Sequence, residues 1–458
     1  MEEKETKRNN PLGTKPTGTL LRQFAVPSII AMLVSSLYNI VDQFFIGRSV
    51  GELGNAATNI AFPLTISCIA IALLFGIGGA SAFNIAQGEG KKELSVFYLG
   101  NAAAAMMIFG IALLVITEVF LTPLLHFFGS PDDVLALAQV YTRIVGLGFP
   151  FSIIAAGGGH LIRADGRPKM TMIVNIVGAV INVVLDALFV FVFQWGMAGA
   201  AWATVIGQVI SGAMAIYCIL HAKTADMKKE HFIPRGKHLV RVMSLGTAPC
   251  TNQLAMMVVQ IVMNKSLKYY GSLSVYGEAI PIACAGIITK VNQVYFAFII
   301  GISQGLQPIV SFNYGSRQYK RVKEAVLLAA KVGFGLSLVA FALFQLAPRQ
   351  IISIFGNGSE EYFRFAESYF RIFLFFTFLN FMQPITSNLF TSIGKPKVGM
   401  FLSLTRQIIY LLPLMVILPM IMGIDGIMYS GAIADFLAGI TTLIMLGREL
   451  RREEYRQG

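Results

Sequence analysis

Charged residues are scarce. Lys, Arg, Asp and Glu make up 13% of the 458 residues, whereas a soluble domain carries about 25%. That shortage excludes an ordinary water-soluble chain. Cysteine is rare too. The four present (Cys68, Cys218, Cys250, Cys284) form no C-x-x-C pair and lie in apolar stretches. They read as small buried hydrophobes, not as disulfides or metal ligands. Short alternating segments are missing, which excludes a transmembrane barrel. No G-x-x-x-x-G-K-[ST] loop occurs, so no nucleotide supplies energy through that motif. The N-terminus lacks the short apolar core and cleavage site of a signal peptide.

What is present is length and apolarity. Hydrophobic residues make up 55% of the chain and come in runs of about 20, the pattern of membrane-spanning helices. Twelve such segments are expected, at 22–46, 56–82, 95–117, 134–160, 169–194, 197–221, 241–267, 276–304, 322–346, 361–390, 397–421 and 424–447. The net charge of +12 does not mark a nucleic-acid binder. Most Lys and Arg residues gather in every second connection, including Lys91 and Lys92, Arg163 to Lys169, Lys223 to Arg241, and Arg317 to Lys323. That asymmetry places both termini in the cytoplasm.

The longest hydrophilic connection, 222–240, divides the chain. A cytoplasmic segment at 1–21 precedes an N-lobe at 22–221, and a C-lobe at 241–447 precedes a tail at 448–458. The two lobes resemble each other. Y-T-R-I at 141–144 returns as Y-F-R-I at 369–372, and G-R-P-K at 166–169 returns as G-K-P-K at 394–397, both 228 residues on. G-M-A-G-A-A-W at 196–202 returns as G-I-D-G-I-M-Y at 423–429, and A-Q-G at 86–88 as N-Y-G at 313–315, both 227 on. Pro27 matches Pro249 at 222. Equal offsets across six helices imply a parallel repeat about an axis along the membrane normal.

Against this background the intramembrane carboxylates stand out. Asp42 lies in the first segment. Asp186 lies in the fifth, on one helix face with Asn182 by i, i+4 spacing. Burying a carboxylate at this depth costs about 2.5–3.5 kcal/mol on insertion scales. Counting from the outer helix ends, Asp42, Asp186 and Thr204 fall in one layer about 6–12 Å below the outer surface. Two carboxylates, an amide carbonyl and a hydroxyl form an all-oxygen set suited to Na⁺ or to a shared proton. A structural role, with each aspartate neutralised by a hidden base, is the competing reading.

P-S-I-I-A-M-L-V-S-S-L-Y-N-I-V-D at 27–42, N-V-V-L-D at 182–186, A-A-W-A-T at 200–204 and Q-G-L-Q-P-I-V-S-F-N-Y-G at 304–315 carry a resemblance. Over essentially its full length the chain resembles the multidrug and toxic compound extrusion (MATE) family, most of all its DinF-type branch and the MepA-like pumps. The resemblance implies an all-α membrane protein with twelve helices in two pseudo-symmetric six-helix bundles, working by alternating access. It implies a cation-coupling site for H⁺ or Na⁺ at Asp42, Asn182, Asp186, Thr204 and Ala200, and a conformational switch at Pro27. It implies no other cofactor. The partners it implies are organic cations, drugs and dyes together with membrane lipids, for a monomer in a bacterial cell membrane.

The second half departs from its twin. Asn264 stands where the repeat places Asp42, and Leu414 where it places Asp186. This half carries Lys290, Arg371, Arg406 and Asp435 at membrane depth instead. Arg406 and Asp435 are candidates to pair with each other. Arg143 and Arg371 recur in both halves, which favours a shared structural job over solute contact. Asn39, Gln43 and Glu278 are candidates for the cavity wall or for structural roles. The expected function is efflux of organic cations by H⁺ or Na⁺ antiport. The alternatives are a flippase for lipid-linked saccharides or an exporter of an endogenous metabolite. Aspartyl protease chemistry lacks its G-x-G-D motif, so the chain is not expected to be an enzyme.

Overall fold

The computed structural model describes residues 10–452 apart from 131, 278 and 356–358. Every regular element among them is a helix, as lipid demands of a backbone that must satisfy its own hydrogen bonds. The main helices are α1 Thr17–Ser49, α2 Glu52–Gly88, α3 Lys92–Val119, α4 Asp132–Leu147, α5 Phe149–Ala164, α6 Pro168–Asp186, α7 Gly196–Leu220, α8 Gly236–Ser272, α9 Ala279–Gly315, α10 Tyr319–Leu346, α11 Glu360–Phe373, α12 Met382–Ser392, α13 Pro396–Leu404, α14 Leu412–Met422 and α15 Ile424–Leu450.

Each of the twelve expected segments falls on a helix or a broken helix. Among the described residues ten helices are long and apolar enough to cross a membrane, or eleven if α4 and α5, bent by 55°, form one span. The expected segment at 134–160 breaks between Leu147 and Phe149. Pro150 follows there and has no N–H for the preceding turn. The segment at 361–390 breaks likewise between Phe373 and Met382, just ahead of Pro384. Helix α8, which holds the seventh segment, is as long as α2 at 37 residues, yet it falls outside the spans that pass on apolarity. Gln253, Gln260 and Asn264 dilute it, and these share a face whose surroundings are described below.

Three buried apolar clusters organise the packing. One combines residues 12–25 with residues 259–434; the other two lie within 46–245. The halves meet where α1 packs on α9 and α2 on α8. Gly301 and Gly305 of α9 lie against Ile29 and Ala25 of α1; a Cβ would come within 2.6 Å of Ile29 Cα and 2.5 Å of Ala25 N. Gly78 abuts Val242, and Gly246 abuts Leu74. The α2–α9 crossing is reciprocal, with Gly88 on the Phe312 carbonyl and Gly315 on the Ile85 carbonyl. Only glycine permits that approach.

All these contacts lie at one end of the molecule. Asn313 there donates to the Leu12 carbonyl at 2.9 Å, and Lys395 pairs with Glu449. Both described ends of the chain are thus on the closed side. The seam is polar. Gln307 donates to the Ile77 carbonyl at 3.1 Å and to the Ser81 hydroxyl at 2.9 Å. One turn from the reciprocal glycines, Asn84 Nδ2 and Ser311 Oγ are buried without partners, as is Gln304 Oε1.

The connection between the halves is ordered against the first. Asn101 of α3 donates to the carbonyls of His231 at 2.9 Å and Ile233 at 3.2 Å, and accepts from Arg235 N at 2.7 Å. Asp165 accepts from the backbone of Lys223 and Thr224, both at 2.8 Å.

Candidate functional site

Asp42 on α1 and Asp186 at the end of α6 are 7% and 0% exposed, and their carboxyl groups are within hydrogen-bonding reach of each other. Two carboxylates at that distance require a proton or a cation between them. Asn182, one turn before Asp186, holds the second carboxylate. Its amide donates to Asp186 Oδ2 at 3.2 Å while its oxygen accepts from Thr204 N at 3.2 Å. The Thr204 hydroxyl donates to the Ala200 carbonyl at 3.0 Å. Ala200 therefore anchors Thr204 through its carbonyl. Gly207 brings α7 onto α6 here; a Cβ would stand 3.0 Å from the Gly178 carbonyl and 3.3 Å from Asn182 Cβ.

Directly after Asp186 the backbone widens into π-helical turns over Ala187–Val192, a distortion common at functional sites. One oxygen of each carboxylate, Asp42 Oδ1 and Asp186 Oδ1, is buried with no donor. These two free acceptors give the centre the chemistry to take a proton or a small hard cation. A multi-carboxylate metal centre is absent: among the described residues no group of three His, Cys, Asp or Glu side chains gathers.

Two tyrosines lie near this centre. Tyr38 and Tyr141 lie within electrostatic range of both aspartates. Tyr38 precedes Asp42 by one helical turn, a spacing legible in the sequence. Tyr141, on α4, marks only the repeat there, and nothing in its spacing points to Asp42. Pro27 sits on α1 between Ala25 and Ile29, the residues against which α9 crosses.

The other candidates lie elsewhere. Asp435 on α15 is 1% exposed; it pairs with Arg406 Nε at 2.5 Å and accepts from Asn380 Nδ2 at 2.8 Å. Nearby, the Tyr295 hydroxyl meets Ser337 at 2.7 Å and the Thr377 carbonyl at 3.1 Å. Arg406 also lies in π-helical turns, over Thr405–Leu411. Arg143 is exposed and 3.5 Å from Glu118. The Arg371 side chain is exposed, and its carbonyl accepts from Gln345 at 3.0 Å. Asn39 bonds the Ser35 carbonyl at 2.8 Å, and Gln43 bonds Thr58 at 3.3 Å. Lys290 is exposed. Glu278 lies outside the described residues.

Comparison with known proteins agrees with this architecture. The MatE family profile matches twice, over residues 27–188 and 249–417, once in each half. The multidrug export protein MepA of Staphylococcus saprophyticus is 22% identical over 429 residues, covering 93% of this chain and 92% of that protein. Its Staphylococcus aureus namesake is 21% identical over 434 residues, covering 94% of each. Among solved structures, an outward-facing multidrug resistance MATE transporter of the MOP superfamily superposes with a TM-score of 0.88 at 21% identity, covering 99% of both chains. A MOP superfamily transporter from Pyrococcus furiosus, described as having a binding pocket of reversed polarity, gives 0.87 at 21% identity over 98% of both. With the profile matched in both halves and the fold shared end to end, the chain belongs to the MatE family.

Proposed function

We propose that this protein is a secondary active transporter that exports organic cations and other xenobiotics in exchange for H⁺ or Na⁺. The observation that carries the reading is the buried Asp42–Asp186 pair, with one unpartnered oxygen on each side chain. An ion that neutralises the pair changes the charge buried in the first half. It thereby biases any rearrangement that alters the surroundings of α1. One-for-one exchange of a monovalent cation moves no net charge, so the ion's own gradient drives it: a ten-fold inward gradient supplies about 1.4 kcal/mol, enough for roughly a ten-fold solute gradient.

The twelve-helix, two-bundle arrangement with alternating access completes the proposal. In it Asp42, Asn182, Asp186, Thr204 and Ala200 form the coupling site and Pro27 is the switch. Basic connections at the closed end support a cytoplasmic placement of that end, and the staphylococcal relatives support a bacterial cell membrane. The state described is then the one open outward. The relatives named as multidrug exporters support the substrate class, and with it placement near MepA-like pumps. A flippase for lipid-linked saccharides needs a broad basic cavity, and the acidic centre of the first half argues against it.

The test is ethidium efflux from proteoliposomes under an imposed pH gradient or an imposed Na⁺ gradient. Efflux driven by either gradient and abolished by Asp186→Asn supports the reading, and the effective gradient names the ion. A mutant that pumps at the wild-type rate, or a wild type that moves no dye, defeats it.

A further inference from the structure

Lys290 is a charged residue deep in a membrane helix, and it is exposed. Ion pairs are found elsewhere at depth, as at Arg406 and Asp435. Lys290 forms none among the described residues. An ammonium in that position requires water or a polar ligand.

Its direction follows from the helix repeat. Lys290 precedes Gly301 by eleven residues, about three turns, so the two share a face of α9 to within about 20°. Gly301 touches Ile29 of α1. Lys290 therefore faces the first half, yet it is exposed where Gly301 is buried. The faces of α1 and α9 part between these levels and leave a cleft. On α8, Asn264 follows Gly246 by eighteen residues, about five full turns. Gly246 is pressed on Leu74 of α2, whereas Asn264 is exposed and accepts from Gln260 at 3.1 Å. The same parting recurs there. The polar residues that lower the apolarity of α8, Gln253, Gln260 and Asn264, lie on this same face as Gly246.

The levels coincide. From the Gly301 crossing, Lys290 lies about 16 Å along α9, and α1 climbs as far by Ile40, between Tyr38 and Asp42. Measured from the α8–α9 connection, Lys290 falls between the depths of Gln260 and Asn264. One wall of the cleft thus carries an unpaired ammonium and two amides, at the level of the buried carboxylate pair, which lies behind α1 on its α6 side.

We propose that Lys290, with Gln260 and Asn264, forms an anion subsite in the second half, and that the preferred solutes are zwitterions. The cationic part of such a solute lies toward the first half, and its carboxylate or phosphate meets Lys290. This rests on the efflux reading for the solute's entry into the cleft, and goes beyond it by assigning the anionic group and its receptor.

The test is equilibrium binding of a rhodamine free acid and of its methyl ester to the purified full-length protein, read by fluorescence anisotropy without any gradient. The two dyes match in shape and differ by one carboxylate. The expected result is tighter binding of the acid than of the ester by about ten-fold, loss of that preference in Lys290→Met, and its retention in Lys290→Arg. Equal affinities in wild type, or a preference that survives Lys290→Met, overturns the subsite while leaving efflux standing. Binding of neither dye removes both readings together.

Discussion

Asp42 and Asp186 come from helices far apart in sequence, yet their carboxyl groups lie within reach of each other and each keeps a buried oxygen free. A proton or cation is the natural third member of that arrangement. Asp42→Asn and Asp186→Asn are each expected to abolish gradient-driven efflux while dye binding survives. The measurement pairs proteoliposome transport with equilibrium binding on the same preparations. Loss of both in either variant would indicate that the pair only holds the fold.

The Arg406–Asp435 pair makes a different prediction. Asp435 is fixed by both Arg406 and Asn380. Removing only the guanidinium leaves a buried charge unpaired, so Arg406→Met is expected to cost about 3–5 kcal/mol, whereas replacing both members is often neutral. Thermal unfolding in detergent of Arg406→Met and of Arg406→Met with Asp435→Leu checks this. The double variant is expected to unfold at the higher temperature of the two.

A third prediction concerns the closed end. A leucine at Gly315 would meet the Ile85 backbone and pry the seam apart. In a background with the four native cysteines replaced, Ser311→Cys is expected to resist a water-soluble maleimide. Adding Gly315→Leu is expected to make it react. Equal labelling rates would mean that the crossing does not guard the seam.

The connection between the halves offers a fourth. Asn101 is fully buried and satisfies three backbone groups of the connection. Asn101→Ala leaves those groups without partners, at about 1–3 kcal/mol each where they stay buried. Trypsin is expected to cut at Lys228 or Lys229 faster in that variant than in wild type.

Much of this was legible in the sequence, and the reasons are physical. Apolar runs reveal spans because lipid permits little else, and matched offsets reveal the repeat because both halves fold alike. The i, i+4 pair Asn182 and Asp186 announces a shared face. Tyr38 was equally readable from its distance to Asp42. Tyr141 was not, because its nearness to the aspartates depends on how α4 packs, which no local pattern encodes. The breaks ahead of Phe149 and Met382 were hidden inside apolar runs, since composition is blind to a bend. The direction of Lys290 became readable only when Gly301 was seen against Ile29.

The polar seam has a further consequence. Asn84, Gln304 and Ser311 each bury an atom that water would satisfy. A joint of this kind opens by wetting, and the number of waters it takes up belongs to the equilibrium between its states. Solutes excluded from protein surfaces favour the drier state. Sucrose or a similar osmolyte therefore becomes an effector of this protein without binding to it, holding the termini-bearing end shut as the solvent dries.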